Sequence, residues 1–405
     1  MSEYVIETAS DDDWDALIQV VENAFHEEHS DAVSATERIA IEIDRTLVAR
    51  RDGEIVGSAS IQTRHLAVPG AVVPAAHVTL VSVATTARRR GILTGFMRRQ
   101  FDDARAAGEP VAVLFASEGR IYQRFGYGLA ATRLGLTIDT TEAKLTVPAG
   151  AGRIREASPQ ALRDEMAKLF DEVFAARPGW SERASRHWDY RLADPKEWRR
   201  GANALRAVVH ENDGGEVDGY ALWRTQWPDS GPYGEVRVVE QVAANPDAYN
   251  AIWAFLMAVD LTRSVNVWLA SSQEPLIYAV SDPRRLEGRF GDAVWLRVLD
   301  VPAALAARRY AADLDIVIEV TDSMLPSNAG RWRLTGSPAA AACVSTVDAP
   351  DLTMDVRALG AAYLGGTPLS ALAATGQVVE HTAGAIARAD AALRWHVPPA
   401  PLEVF

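Results

Sequence analysis

One stretch constrains the fold more than any other. It reads Val81-Ser82-Val83-Ala84-Thr85-Thr86-Ala87-Arg88-Arg89-Arg90-Gly91-Ile92-Leu93-Thr94. It begins in Val78 to Ala84, a short apolar, β-branched run that reads as a buried strand. It continues into Arg88 to Ala107, where Ile92, Leu93, Phe96, Met97 and Phe101 recur at helical spacing. Gly108-Glu109-Pro110 breaks that helix, and Val111 to Ala116 is a second buried strand. Strand, helix and strand in that order point to an α/β arrangement. The turn between strand and helix is basic and contains glycine. The first turn of a helix has unpaired N–H groups and a positive dipole end. Gly91 has no Cβ, so an anion can approach the backbone. Arginines add charge-assisted hydrogen bonds. These parts form a cradle for a pyrophosphate. Neither the P-loop pattern nor the G-x-G-x-x-G fingerprint is present. A positive charge at a helix start opposes the dipole by about 0.3–1 kcal/mol. Three arginines there are costly without an anion.

The surrounding chain alternates in the same way. Asp11-Asp12-Asp13 precedes Trp14, Leu17, Val20 and Val21, an apolar stripe at helical spacing. Arg51-Asp52-Gly53 joins two strand-like runs as a hairpin. Glu118 to Arg124 reads as a short helix ended by Phe125-Gly126-Tyr127-Gly128. At about 150 residues per domain, the 405 residues suggest two or three domains. A linker is expected at Val147 to Gly152, with one domain at 1–147, a second at 153–294 and a third at 295–405. Val242-Ala243-Ala244-Asn245 and its following helix echo Val83-Ala84-Thr85-Thr86, at an offset of 159 residues from Val83 to Val242. A duplicated fold explains the echo, and so does chance similarity of two βα units. The chain closes on Val397-Pro398-Pro399-Ala400-Pro401-Leu402-Glu403-Val404-Phe405, stiffer and more apolar than a frayed end.

Charge narrows the function classes. The net charge is −13, which disfavours non-specific nucleic-acid binding and favours a cationic partner at long range. An acidic surface serving solubility alone is the plainer alternative. Cys343 is the single cysteine and reads as core, so a reducing compartment is expected. No leader is expected from the polar, acidic first residues, and no apolar run reaches about 20 residues. The expectation is a soluble cytoplasmic protein with no membrane span; secretion or host export is not readable here. His26 and His29 are three apart, but no H-E-x-x-H or cysteine pair joins them, and no metal site is expected.

The motifs carry a resemblance. Arg88-Arg89-Arg90-Gly91-Ile92 after a V-x-V strand resembles the acetyl-CoA signature of the GNAT acetyltransferases. Ile121-Tyr122-Gln123-Arg124-Phe125-Gly126-Tyr127 resembles that superfamily's F-Y-x-x-x-G-F segment. The run Ala116 to Gly128 is similar to the Eis (enhanced intracellular survival) family of actinobacterial N-acetyltransferases, and the terminal phenylalanine matches. The resemblance implies two tandem GNAT-type domains followed by a sterol-carrier-protein-like α+β domain, a mixed α/β chain. It implies a homohexamer and acetyl-CoA as co-substrate. Val81, Ser82 and Val83 would pair with the pantetheine arm. Arg88, Arg89, Arg90, Gly91, Ile92, Leu93 and Thr94 would hold the pyrophosphate. Ser117 and Glu118 would line the groove. Tyr122 would be the general acid, with Tyr127 the nearby competitor. The carboxylate of Phe405 would be the general base. Asp247 and the missing glycine imply that the central copy does not bind CoA. Expected acceptors are polycationic small-molecule amines such as aminoglycosides. Lysines of proteins or peptides are the alternative, as is a non-catalytic lipid- or host-interaction protein. Trp14 and Phe25 could line an acceptor pocket but read first as core.

Overall fold

The computed structural model describes residues 4–28, 30–228 and 231–405. His29 lies outside the described residues.

Strands β1 (Val5–Thr8), β2 (Thr46–Arg51), β3 (Glu54–Val68), β4 (Ala71–Val83), β5 (Val111–Phe115) and β6 (Gly128–Leu129) belong to one sheet. The next strand, β7 (Thr132–Asp139), leaves it. It joins β8 (Arg153–Ala157), β9 (Arg206–Glu211), β10 (Val217–Gln226), β11 (Gly234–Ala243), β12 (Thr262–Ser271) and β13 (Arg289–Asp292) in a second sheet. The chain then returns. Strand β14 (Val294–Val298) inserts between β5 and β6, running antiparallel to β5 from Val294 opposite Phe115 to Val298 opposite Val111. Each half of the duplicated fold thus completes its sheet with a strand from the other side of the linker. A linear division at 147 and 294 does not follow the sheets: residues 132–139 lie in the second and 294–298 in the first. A third sheet holds β15 (Leu314–Thr321), β16 (Gly330–Gly336), β17 (Ala341–Ser345), β18 (Leu352–Asp355) and β19 (Val378–Glu380).

Local chemistry sets the helices. In α1 (Trp14–Phe25), the preceding aspartates complement the dipole, and Ser10 N–H donates to Asp13 at 2.9 Å. The face carrying Trp14, Leu17, Ile18, Val20 and Val21 is buried. Ser30 caps α2 (Asp31–Ala40). The basic turn ends before α3 (Ile92–Ala106) begins, so Arg88, Arg89 and Arg90 precede the helix rather than open it. Gly91 is the N-cap at φ 87°, a left-handed conformation that a glycine adopts freely. Helix α4 (Gly119–Tyr122) is one turn. In the second half, α5 (Arg163–Val173), α6 (Ser185–Leu192) and α7 (Pro246–Met257) cover the sheet.

One core joins the first sheet to the third. Leu66, Val113 and Leu296 share it with Leu305, Ile316 and Leu359. Each such side chain contributes about 1.5–3 kcal/mol when buried. The first and third sheets therefore depend on each other for their stability.

Candidate active site

The site begins with a bulge. Strand β3 pairs with β4 as Ser58 opposite Ser82 and then Ser60 opposite Thr79, so β4 carries one extra residue. Leu80 takes φ 49° there, and its carbonyl accepts from Ser58 Oγ at 2.7 Å. Beside it, β4 and β5 pair in parallel only from Ala75–Val111 to His77–Val113. Beyond His77 the strands part, and a cavity of about 380 Å³ lies in the gap. Its walls include Val81, Phe115, Ser117 and Tyr122 from the first half. Arg133, Trp268 and Asp292 come from the second sheet, and Phe405 from the chain end.

Four of the expected residues thus meet in one cavity: Val81, Ser117, Tyr122 and Phe405. The others take separate places. Ser82 is buried, with its hydroxyl 2.9 Å from that of Ser58, and does not line the cavity. Val83 packs into the core under the turn. Arg88, Arg89 and Arg90 are exposed, and none pairs with a carboxylate among the described residues. Arg88 Nε donates to the Val83 carbonyl at 3.3 Å. Ile92 is buried and Leu93 packs on the core. Their N–H groups remain at the helix start with Gly91 and Thr94, where no side chain caps them. Glu118 is exposed and pairs with Arg120 at 2.9 Å, outside the cavity lining.

Tyr122 is 6% exposed, and burial raises its phenol to about 12. Tyr127 meets it edge-on, with ring centroids 5.8 Å apart, but is wholly buried and does not line the cavity. Trp14 belongs to the α1 core. Phe25, read first as core, is 43% exposed and lines the cavity. The acidic residues Glu27, Glu37 and Asp292 line it as well. Sequence spacing could not have found Asp292, Arg133 or Trp268, because the strand exchange brings them in from the second sheet.

The tail is held along its length. Ala400 N–H donates to the Pro178 carbonyl at 3.1 Å, and Leu402 packs on the core of the second half. The Glu403 carboxylate bonds the guanidinium of Arg64 and that of Arg183, the latter at 2.6 Å. Burial opposes ionisation of Glu403, but these arginines outweigh it and hold the carboxyl below its usual range. Arg183 also pairs with Glu240 at 2.7 Å, both side chains fully buried.

The second copy keeps the cleft and closes the turn. Strand β11 has its extra residue at Val239, between Leu222–Glu240 and Trp223–Val238. That position bears the same spacing to Leu80 as Val242 bears to Val83. Helix α7, however, begins with Pro246, which has no N–H. Asn245 caps it by accepting from Ala248 N–H at 2.9 Å. Gly150 of the linker lies so close that a Cβ there would meet the Asp247 carbonyl at 2.5 Å.

Residues 5–130 match the family described as acetyltransferase (GNAT) domain, and residues 179–298 match a second family of that description. Residues 301–400 match the sterol carrier protein domain. Two tandem GNAT domains and a sterol-carrier domain define an N-acetyltransferase. The chain is 45% identical to an uncharacterized N-acetyltransferase of Streptomyces coelicolor, over 88% of each chain. It is 33% identical to the N-acetyltransferase Eis of Mycobacterium tuberculosis, over 96% of each. The crystal structure of Eis1 from Mycobacterium abscessus matches at TM-score 0.85 and 33% identity, covering 99% of this chain and all of that one. The chain belongs to the Eis family of GNAT N-acetyltransferases. GNAT domains use acetyl-CoA as co-substrate. No helix among the described residues is long and apolar enough to cross a membrane. No cluster among them could hold a metal ion.

Proposed function

We propose that this N-acetyltransferase moves the acetyl group of acetyl-CoA to primary amines of polycationic acceptors such as aminoglycosides, by direct attack. The observation that carries the reading is the single cavity holding Tyr122 and Phe405 beside Glu27, Glu37 and Asp292. Acetyl-CoA supplies a thioester-activated acetyl group. The residues present fit it: a bulged strand with an open edge, an uncapped helix start and arginines without carboxylate partners. The backbone of Val81 to Val83 binds the pantetheine arm and polarises the acyl oxygen. Arg88 to Thr94 hold the pyrophosphate, through backbone at Ile92 and Leu93. Ser117 and Glu118 flank the groove.

Tyr122 stays protonated at neutral pH and gives its proton to the departing sulfur. The Phe405 carboxylate receives the ammonium proton. An α-carboxylate has a pKa of about 3.5, far below an ammonium, so desolvation or a relaying water supports that transfer. The capped start of α7 supports a central domain that holds no CoA. Lysines of proteins or peptides are the second acceptor class, favoured by the same acidic walls. The reading includes a cytoplasmic homohexamer.

The test is release of CoA thiol from acetyl-CoA with aminoglycosides, polyamines and lysine peptides. Turnover with the polycationic small amines is expected. Lack of turnover with every amine would sink the reading and leave a lipid- or host-interaction protein.

A further inference from the structure

We infer that the cleft of the central GNAT-type domain is a second ligand site, for a zwitterion with an apolar body. Strands β11 and β12 run parallel only as far as Val238 opposite Val267. Beyond that point they part, as β4 and β5 do, and a cavity of about 480 Å³ fills the gap. That volume suits a small organic molecule. The edge that a pantetheine arm would need is occupied here. Arg191 donates to the Val239 carbonyl at 2.8 Å and Arg177 to the Ala243 carbonyl at 3.2 Å. The cleft has therefore kept its shape and changed its chemistry.

Two opposite charges line this space and feel each other across it, but neither makes a close ion pair among the described residues. Glu274 lines it, is 8% exposed and accepts from the Tyr249 hydroxyl. No cationic side chain among the described residues lies within ion-pair distance of it. Arg177 lines the same cavity, stands 5.9 Å from the centroid of the Trp180 ring and has no ion pair either. Burial disfavours the charged form of each. A carboxylate and a guanidinium left apart in one cavity are both neutralised by a ligand that carries an ammonium and a carboxylate. Between them the walls are Trp180, Trp253, Val238 and Val267, which suit an apolar body. The remaining wall is the tail itself, Val397 to Leu402. A ligand seated there touches the segment that carries Phe405 to the other cavity.

The test is calorimetric titration of the whole protein with phenylalanine and leucyl-phenylalanine, beside their methyl esters and N-acetyl forms. At least one zwitterion is expected to bind, and each blocked form of it to bind about tenfold more weakly, as for a charged group left unmatched. Glu274→Gln should remove the penalty for N-acetylation and keep the penalty for the ester. Leu269→Trp, which fills the cleft, should abolish binding while α7 stays folded by circular dichroism. Equal binding of blocked and unblocked forms overturns the inference, as does no binding of any zwitterion. The readout is binding, so it stands or falls apart from acetyl transfer.

Discussion

The Phe405 ring stands edge-on to the imidazole of His77, with centroids 4.6 Å apart and planes at 65°. His77 is fully buried, its Nε2 2.7 Å from the Ser181 hydroxyl and its Nδ1 3.0 Å from the Ala75 carbonyl. On its other side Phe405 meets Phe115 at 5.5 Å. The chain end is thus seated on β4 and β5 at the point where they part, while Glu403 fixes the approach.

Tyr122→Phe keeps the ring and removes the hydroxyl. Loss of a general acid costs about 10²–10⁴ in rate, so kcat should fall by that range. The melting temperature and the KM for acetyl-CoA should hardly move. Because burial raises the phenol to about 12, kcat should show no alkaline limb from this group near pH 10. An unchanged kcat would remove Tyr122 from the mechanism.

Stability should fall as the solution is acidified. Burial first, and then the positive charge of Arg64, lowers the pKa of both His77 and His187, the latter to about 3. Both stay neutral in the fold below pH 6.5, while the unfolded chain takes up two protons. The unfolded state therefore binds more protons, and stability is lost as pH drops from about 6.5. The slope reaches at most about 2.7 kcal/mol per pH unit for two groups. Glu403, held low by its arginines, adds a further loss below its unfolded value. Denaturant melts between pH 7.5 and 5 check this, and a flat profile would contradict it.

Glu403→Gln leaves Arg64 and Arg183 buried with one anion fewer. Breaking a buried pair costs about 3–5 kcal/mol, and a urea melt should show it. Loosening the tail should also lower kcat while the KM for acetyl-CoA stays near the parent value, since Glu403 bonds Arg64 and Arg183 and not the turn at residues 88–94. Equal losses in both parameters would mean a general structural role.

Residues 1–147 should not fold alone, because β5 and β6 are joined only through β14. Linking residues 289–405 after residue 130, which returns both β14 and the third sheet that shares its core, should restore a cooperative thermal transition. A cooperative transition in the simple fragment would show that the borrowed strand is dispensable.

The strand, turn and helix that carry the expected site residues were legible as elements because their signals are contiguous. The V-x-V strand, the turn to Gly91 and the Tyr122 segment each lie within a few residues, where turn chemistry and period are set locally. Strand β14 was not legible as a member of the first sheet. Its apolar β-branched residues suit any buried position, and nothing local chooses the partner. The same exchange hid Arg133, Trp268 and Asp292. Phe25 was misread because a helical apolar stripe looks alike whether it faces a core or a cavity. The duplicated bulge at Leu80 and Val239 left only a faint echo, since bulges follow from register and not from composition.

The proposed mechanism makes the terminal carboxylate the proton acceptor, and a variant with one glycine added after Phe405 puts that role to the test. The ring, its seat on His77 and the Glu403 clamp all remain, and only the position of the carboxylate changes. Single-turnover acetylation of an amine at saturating acetyl-CoA should slow by about 10²-fold or more, with melting temperature and oligomeric state unchanged. A rate equal to that of the unextended chain would remove the terminal carboxylate from catalysis.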